Sequence, residues 1–270
     1  MLGPFGGGFV LDDLTKYYRA KGISAVGFRC PMASSCRAVC AKFAEAREAF
    51  VGTEYERGTL PRVAFLSLDP AWDIADGDPA RRTFAAMREW EESKHRPIGG
   101  APDFPKVAHW YQTHKFAFEL LSPAATARGV RLAFPDVHKY FAHTNSAKCK
   151  DIAKGTAQGR RTLFDNCAQF IPGEIELLCP DVLVAQGAPA RDALKGAFPV
   201  LASQRMTSDK SYQYELVQIA SRPVLKIAMS HPAAWQGGRY PREVREAWSW
   251  YMDIGHRFLL HGPSALAGKA

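Results

Sequence analysis

Arg62–Leu68 (RVAFLSL) is a short apolar run that leads straight into Asp69-Pro70-Ala71-Trp72-Asp73. Its length and its apolar, β-branched and aromatic content read as a buried strand ending in a turn. Three further runs have the same character: Tyr140–Thr144, Asp181–Gln186 (DVLVAQ) and Pro223–Ser230 (PVLKIAMS). Helical stretches lie between and after them, at Ala80–Ser93, Lys106–Leu121, Asp165–Leu178, Pro189–Ala197 and Pro241–Leu260, the last with proline in its first turn. Strands alternating with helices predict a largely parallel sheet covered on both faces. The expected architecture is a single α/β/α domain around a central, mostly parallel four-stranded sheet. Residues 1–60 would form an N-terminal cap that contributes cysteines, and residues 61–270 the core.

The 270 residues are 47% hydrophobic and 23% charged, which excludes disordered, collagenous and coiled-coil chains and leaves ample length for a full core. No stretch approaches the roughly 20 apolar residues of a membrane span. The Gly-rich start lacks the basic and apolar regions of a signal peptide, so a cytoplasmic, monomeric protein without a membrane partner is expected. The net charge is +8. Six basic residues between Lys139 and Thr162 (Lys139, Lys148, Lys150, Lys154, Arg160, Arg161) stand against Asp151 alone and supply most of it. Such a block suits a polyanion, with nucleic acid the commonest, or it is a solvated basic loop.

Six cysteines occupy positions 30, 36, 40, 149, 167 and 179. In a cytosolic chain they point to metal or catalysis sooner than to disulfides. Cys36 and Cys40 form a close pair, Cys149 and Cys167 a looser one. Two pairs meeting at one point would build a four-cysteine zinc site or an iron–sulfur cluster; otherwise they are buried free thiols.

In a parallel sheet the site lies beyond the C-terminal ends of the strands. That rule selects Asp69 after the first strand, Asn145 after the second and His231 after the last. A carboxylate to orient water, an amide to read a ligand edge and an imidazole to stabilise negative charge are the parts of a hydrolytic site. Taken singly, each is also a common turn or cap residue.

These segments resemble the uracil-DNA glycosylase superfamily. Ser67–Trp72 (SLDPAW) is similar to its first motif, written GQDPYH in one branch and GEAPG in the iron–sulfur branches. Thr144–Cys149 (TNSAKC) resembles the TNxxKC signature of those branches, and His231–Trp235 (HPAAW) the HPSPL motif. Leu178–Gly187 resembles the strand between the last two. Cys36-Arg-Ala-Val-Cys40 resembles a CRxC pair one residue wider, and Cys167 follows Cys149 at about the family distance.

The resemblance implies roles residue by residue. Asp69 would position and activate the attacking water, Asn145 would read the pyrimidine edge, and His231 would stabilise charge on the departing base. Trp235 stands at the wedge that fills the place of a flipped nucleotide. Arg239, Lys148 and Lys150 would contact DNA. Cys36, Cys40, Cys149 and Cys167 would hold a [4Fe–4S] cluster, with Cys30, in a CPL-like Cys30-Pro31-Met32, as a rival to Cys36. Cys179 has no counterpart. Ser67 replaces the opening glycine, and Ala71 replaces the tyrosine that bars C5-substituted pyrimidines. Phe84 and Trp72 are the candidate aromatics to stack on the base.

The implied activity is a monofunctional DNA glycosylase acting on a pyrimidine nucleotide, with a C5-modified base such as those of phage DNA admitted by Ala71. An ordinary uracil-DNA glycosylase is the alternative within the family. Outside it stand a zinc-containing nucleic-acid-binding module without catalysis and an α/β hydrolase acting on a small molecule.

Overall fold

A computed structural model describes residues 10–68, 70, 77–94, 97–98, 101–102, 108–153, 157–209, 212–232 and 242–266. Each of the four apolar runs is a strand: β3 (Val63–Ser67), β6 (Phe141–Asn145), β8 (Val182–Gln186) and β11 (Arg222–Met229). They lie side by side and parallel in the order β6-β3-β8-β11. Every residue of β3, β6 and β8 is buried, which is why these strands read as continuous apolar runs rather than alternations.

The four-stranded expectation is corrected, because the sheet has seven strands in the order β2-β6-β3-β8-β11-β10-β9. The two-residue β2 (Phe50–Val51) pairs antiparallel with β6, while β10 (Gln213–Ile219) and β9 (Val200–Arg205) extend the other side antiparallel. The fold is therefore mixed α/β with a mixed sheet whose central strands are parallel. Two-stranded pairs, β1 (Phe43–Ala44) with β7 (Lys150–Asp151) and β4 (Pro97–Ile98) with β5 (Ala101–Pro102), lie apart from it.

Side chains alternate across the sheet and define two cores. On one face Phe65, Phe141, Val184, Leu225 and Ile227 pack against α5 (Ala108–Ala127) and α9 (Arg242–His261). On the other, Ala64, Leu66, Leu183 and Ala185 pack against α1 (Val10–Lys21), α7 (Ile171–Leu178) and α8 (Ala188–Ala193). Residues 10–60 join both cores, through Leu14 and Tyr18 of α1 on one face and Phe50 and Leu60 on the other. The short helices α2 (Ala33–Val39) and α3 (Thr53–Arg57) lie in this segment, and α4 (Phe84–Lys94) and α6 (Ala157–Cys167) follow β3 and β7. No helix among the described residues is long and apolar enough to cross a membrane.

Candidate functional site at the strand ends

The chain leaves β3 to form β6 on one side and then returns to form β8 on the other. The C-terminal ends of β3 and β8 therefore flank the point where a doubly wound sheet opens a crevice. Register puts Ser67 level with Asn145, and Leu66 with Ala185, so Gln186 stands beside Ser67. A directed polar chain crosses this point. The Ser67 hydroxyl donates to Gln186 Oε1 at 2.5 Å, and His143 Nε2 lies 2.9 Å from Ser67 Oγ. A hydroxyl has one proton, so with that proton on Gln186 the imidazole must donate from Nε2. Gln186 Nε2 then donates to Thr113 Oγ1 of α5 at 3.1 Å, and the Trp110 ring covers His143 at 4.9 Å between centroids. Ser67, His143, Gln186 and Thr113 are all buried, so each satisfied bond avoids a desolvation cost of about 1–3 kcal/mol. Alternation places Asn145, itself buried, on the same sheet face.

Backbone contacts draw the rim segments together. Ser146 donates to the Ser67 carbonyl from both N and Oγ (2.9 and 2.7 Å), and Ala147 N donates to the Leu68 carbonyl at 3.0 Å. Lys150 Nζ donates to the Pro70 carbonyl at 2.7 Å. Gly187 has φ +96° and ψ 169°, and its N–H donates to Met229. A Cβ there would stand 3.1 Å from Leu68 Cδ2 and 3.3 Å from His231 Cβ. The residue after β8 is thus wedged between the segment leading into Asp69 and the half-buried His231.

Lys148, between Asn145 and Cys149, is buried. Its ammonium pairs with Glu174 of α7, donates to Thr144 Oγ1 at 2.7 Å and lies 5.6 Å from the Tyr18 ring centroid. Thr144 Oγ1 (2.6 Å) and the Tyr18 hydroxyl both donate to Glu174 Oε1. Burial, with the Glu174 charge beside it, holds the Tyr18 phenol well above its ordinary range.

Directly behind this network Lys148 N donates to Cys167 Sγ at 3.3 Å, and Asn166 Nδ2 to Cys36 Sγ at 3.2 Å. Burial raises the thiols of Cys149 and Cys30, and that of Cys167 to about 11. Cys30, Cys36, Cys149 and Cys167 each lie within electrostatic reach of the other three. For Cys40, burial, then Asp151 and Cys36, push the thiol to about 11. Among the described residues no three His, Cys, Asp or Glu side chains stand at metal-binding geometry. Cys179 lies apart and accepts from Arg222 at 3.0 Å.

Asp69, Ala71, Trp72, Trp235 and Arg239 lie outside the described residues. Of the remaining expected site residues, Ser67, Asn145 and His231 share the rim. Two expectations are corrected. Lys148 is not a surface cation for DNA, because it is 1% exposed and committed to Glu174. Phe84 does not sit beside Asn145; it is buried edge-on to Tyr18, ring centroids 5.0 Å apart, in the core of the opposite sheet face. Of the rest of the basic block, Lys154 lies outside the described residues, while Lys139 pairs with Asp136 (2.6 Å), Arg161 faces Asp165 (3.6 Å) and Lys150 holds Pro70. His143, Gln186, Thr113, Tyr18 and Glu174 were not singled out from sequence. A glutamine closing the otherwise apolar DVLVAQ run, and a histidine inside the 140–144 run, were the available signals.

No family model matches the chain, and no curated protein matches it.

The wedge at Gly187 generates a stability prediction. Gly187→Ala combines a glycine-only backbone region with two close contacts and should cost about 1–3 kcal/mol or more. Gly27→Ala, also at positive φ (+73°) but with open space around it, should cost less. Urea denaturation of both variants provides the comparison.

Proposed function

We propose that the protein is a monofunctional DNA glycosylase that flips out a pyrimidine nucleotide, preferably C5-modified, and hydrolyses its N-glycosidic bond. The supporting observation is the meeting of three strand ends. Asn145 ends β6, the segment leading into Asp69 is clamped to Ser146 and Ala147, and Gly187 lies so close to Leu68 and His231 that a Cβ on it would meet both. An amide and an imidazole at one rim, with Asp69 next in sequence after Leu68, suit hydrolysis at a base-bearing sugar carbon.

A base inside a duplex must leave the stack before its sugar carbon can be reached, and Trp235 is proposed to fill the gap. Asn145 reads the pyrimidine edge. The C1′–N1 bond breaks with its electron pair passing to the base, where His231 stabilises the charge. Asp69 stabilises the cationic sugar, orients water toward C1′ and takes its proton, leaving an abasic site. Trp72 or another aromatic stacks on the base. Ala71, in place of a phenol ring, leaves room beside C5.

A [4Fe–4S] cluster is proposed as a structural staple behind Lys148. The thiol neighbourhood favours Cys30, Cys36, Cys149 and Cys167 as its ligands, with Cys40 in place of Cys30 as the alternative. Protein purified without oxygen should then be brown, with about four irons per chain. Cys30→Ser should bleach it and Cys40→Ser should not; the reverse pattern restores Cys40 to the ligand set.

Duplexes carrying uracil, 5-hydroxymethyl or glucosylated pyrimidines, treated with protein and then alkali, test the activity. Strand scission is expected on a modified duplex. Asp69→Asn should lose most turnover yet keep DNA affinity, since its contribution is to the transition state. Scission on uracil alone would make this an ordinary uracil glycosylase, and no scission on any duplex would overturn the proposal.

A further inference from the structure

The partners of Lys139, Lys148, Lys150 and Arg161 leave open which cations would meet a polyanion. A second group converges on a cavity of about 480 Å³ on the α8 face of the sheet. Arg191 comes from α8, Lys195 from the turn after it and Arg205 from the end of β9. Among the described residues none of the three has a carboxylate partner. A fourth cation, Lys226, is bound to Glu215, whose other oxygen accepts from Gln213 at 3.5 Å, so the cavity floor is neutral. Asp192 is the one remaining carboxylate in the lining, leaving a surplus of two positive charges.

The cavity has a definite place relative to the rim. Ala185, Ala228, Gln213 and Arg205 are successive register partners across β8, β11, β10 and β9, one residue short of the strand ends at Gln186 and Met229. The two alanines leave the space, because a larger side chain at either would fill it. α8 begins at the residue after Gly187, where a Cβ would meet His231, and Arg191 N donates to the Gly187 carbonyl at 3.1 Å, so Arg191 is one turn from the rim.

We propose that this cavity is a phosphodiester-binding subsite, in which Arg191, Lys195 and Arg205 hold the DNA strand beside the nucleotide presented at the rim. Guanidinium forks match phosphate oxygens bidentately, and a concave wall concentrates the field of the three cations. The inference rests on the reading of DNA as substrate.

Fluorescence anisotropy with an unmodified duplex, titrated over KCl concentration, tests it independently of base excision. Each phosphate neutralised contributes about −0.9 to the slope of log K against log[salt]. R191Q/K195Q/R205Q should flatten the slope by about 2–3 and weaken binding about tenfold or more near 0.1 M KCl. R191K/R205K should retain most of the slope, and K139Q/R161Q should leave it unchanged. Since all three cavity cations are exposed, thermal unfolding of the triple variant should match wild type. An unchanged slope in the triple variant, with wild type binding DNA, overturns the subsite alone. So does a slope lost in K139Q/R161Q instead. Stabilisation of wild type by inorganic pyrophosphate that the triple variant lacks, with DNA affinity unaltered, would assign the cavity to a small phosphate and overturn the strand subsite. Absence of any salt-dependent DNA binding by wild type would overturn the glycosylase reading as well.

Discussion

The arrangement of the rim depends on one buried charge pair, Lys148 with Glu174. An ammonium taken out of water carries a penalty of several kcal/mol unless charge and hydrogen bonds replace its hydration. Here the carboxylate, the Thr144 hydroxyl and the face of Tyr18 do so. With Lys148 itself, these groups come from four segments: β6, the loop after it, α1 and α7. The pair thereby fastens the N-terminal helix and α7 to the loop between Asn145 and Cys149. Moving Lys148 would move both neighbours, the amide at the rim and the thiol behind it.

A second constraint lies on the opposite sheet face, where Ser67, His143, Gln186 and Thr113 exchange hydrogen bonds across the switch point. Polar side chains at the end of an otherwise apolar sheet are tolerable because the four are linked to one another by three hydrogen bonds. The two networks meet at β6, which supplies Thr144 to one and His143 to the other. Consecutive residues of a strand point to opposite faces, so this five-residue strand couples the sulfur-rich side to the crevice. The cations of the α8 cavity lie further along the same sheet end. The rim residues, the buried thiols and these cations are therefore spread along one end of a single sheet.

Much of the framework was legible because burial leaves a direct trace in sequence. Continuous apolar runs mark strands covered on both faces, and all four runs read this way are strands. Where the trace is weak the reading failed. β9 is exposed at every position and carries no pattern, while a bulge between Leu216 and Val217 breaks the alternation of β10. The stretch read as one helix over Asp165–Leu178 is interrupted at Ala168–Phe170, and Pro172 opens the next helix. The rim rule located Asn145 and His231. It could not identify Lys148 as buried, because a lysine in a basic block looks like a surface cation until Glu174, 26 residues on, is folded against it. Phe84 was misplaced for a related reason: an aromatic near a motif carries no information about which sheet face will bury it.

The most direct test is a double-mutant cycle at the charge pair, read by urea denaturation of Lys148→Met, Glu174→Leu and the two together. Removing either partner alone leaves an uncompensated buried charge and should cost about 3–5 kcal/mol, whereas the double variant should recover most of that loss. A Lys148→Met variant that loses less than about 1 kcal/mol of stability and instead weakens DNA binding would make Lys148 an exposed phosphate contact and contradict the account.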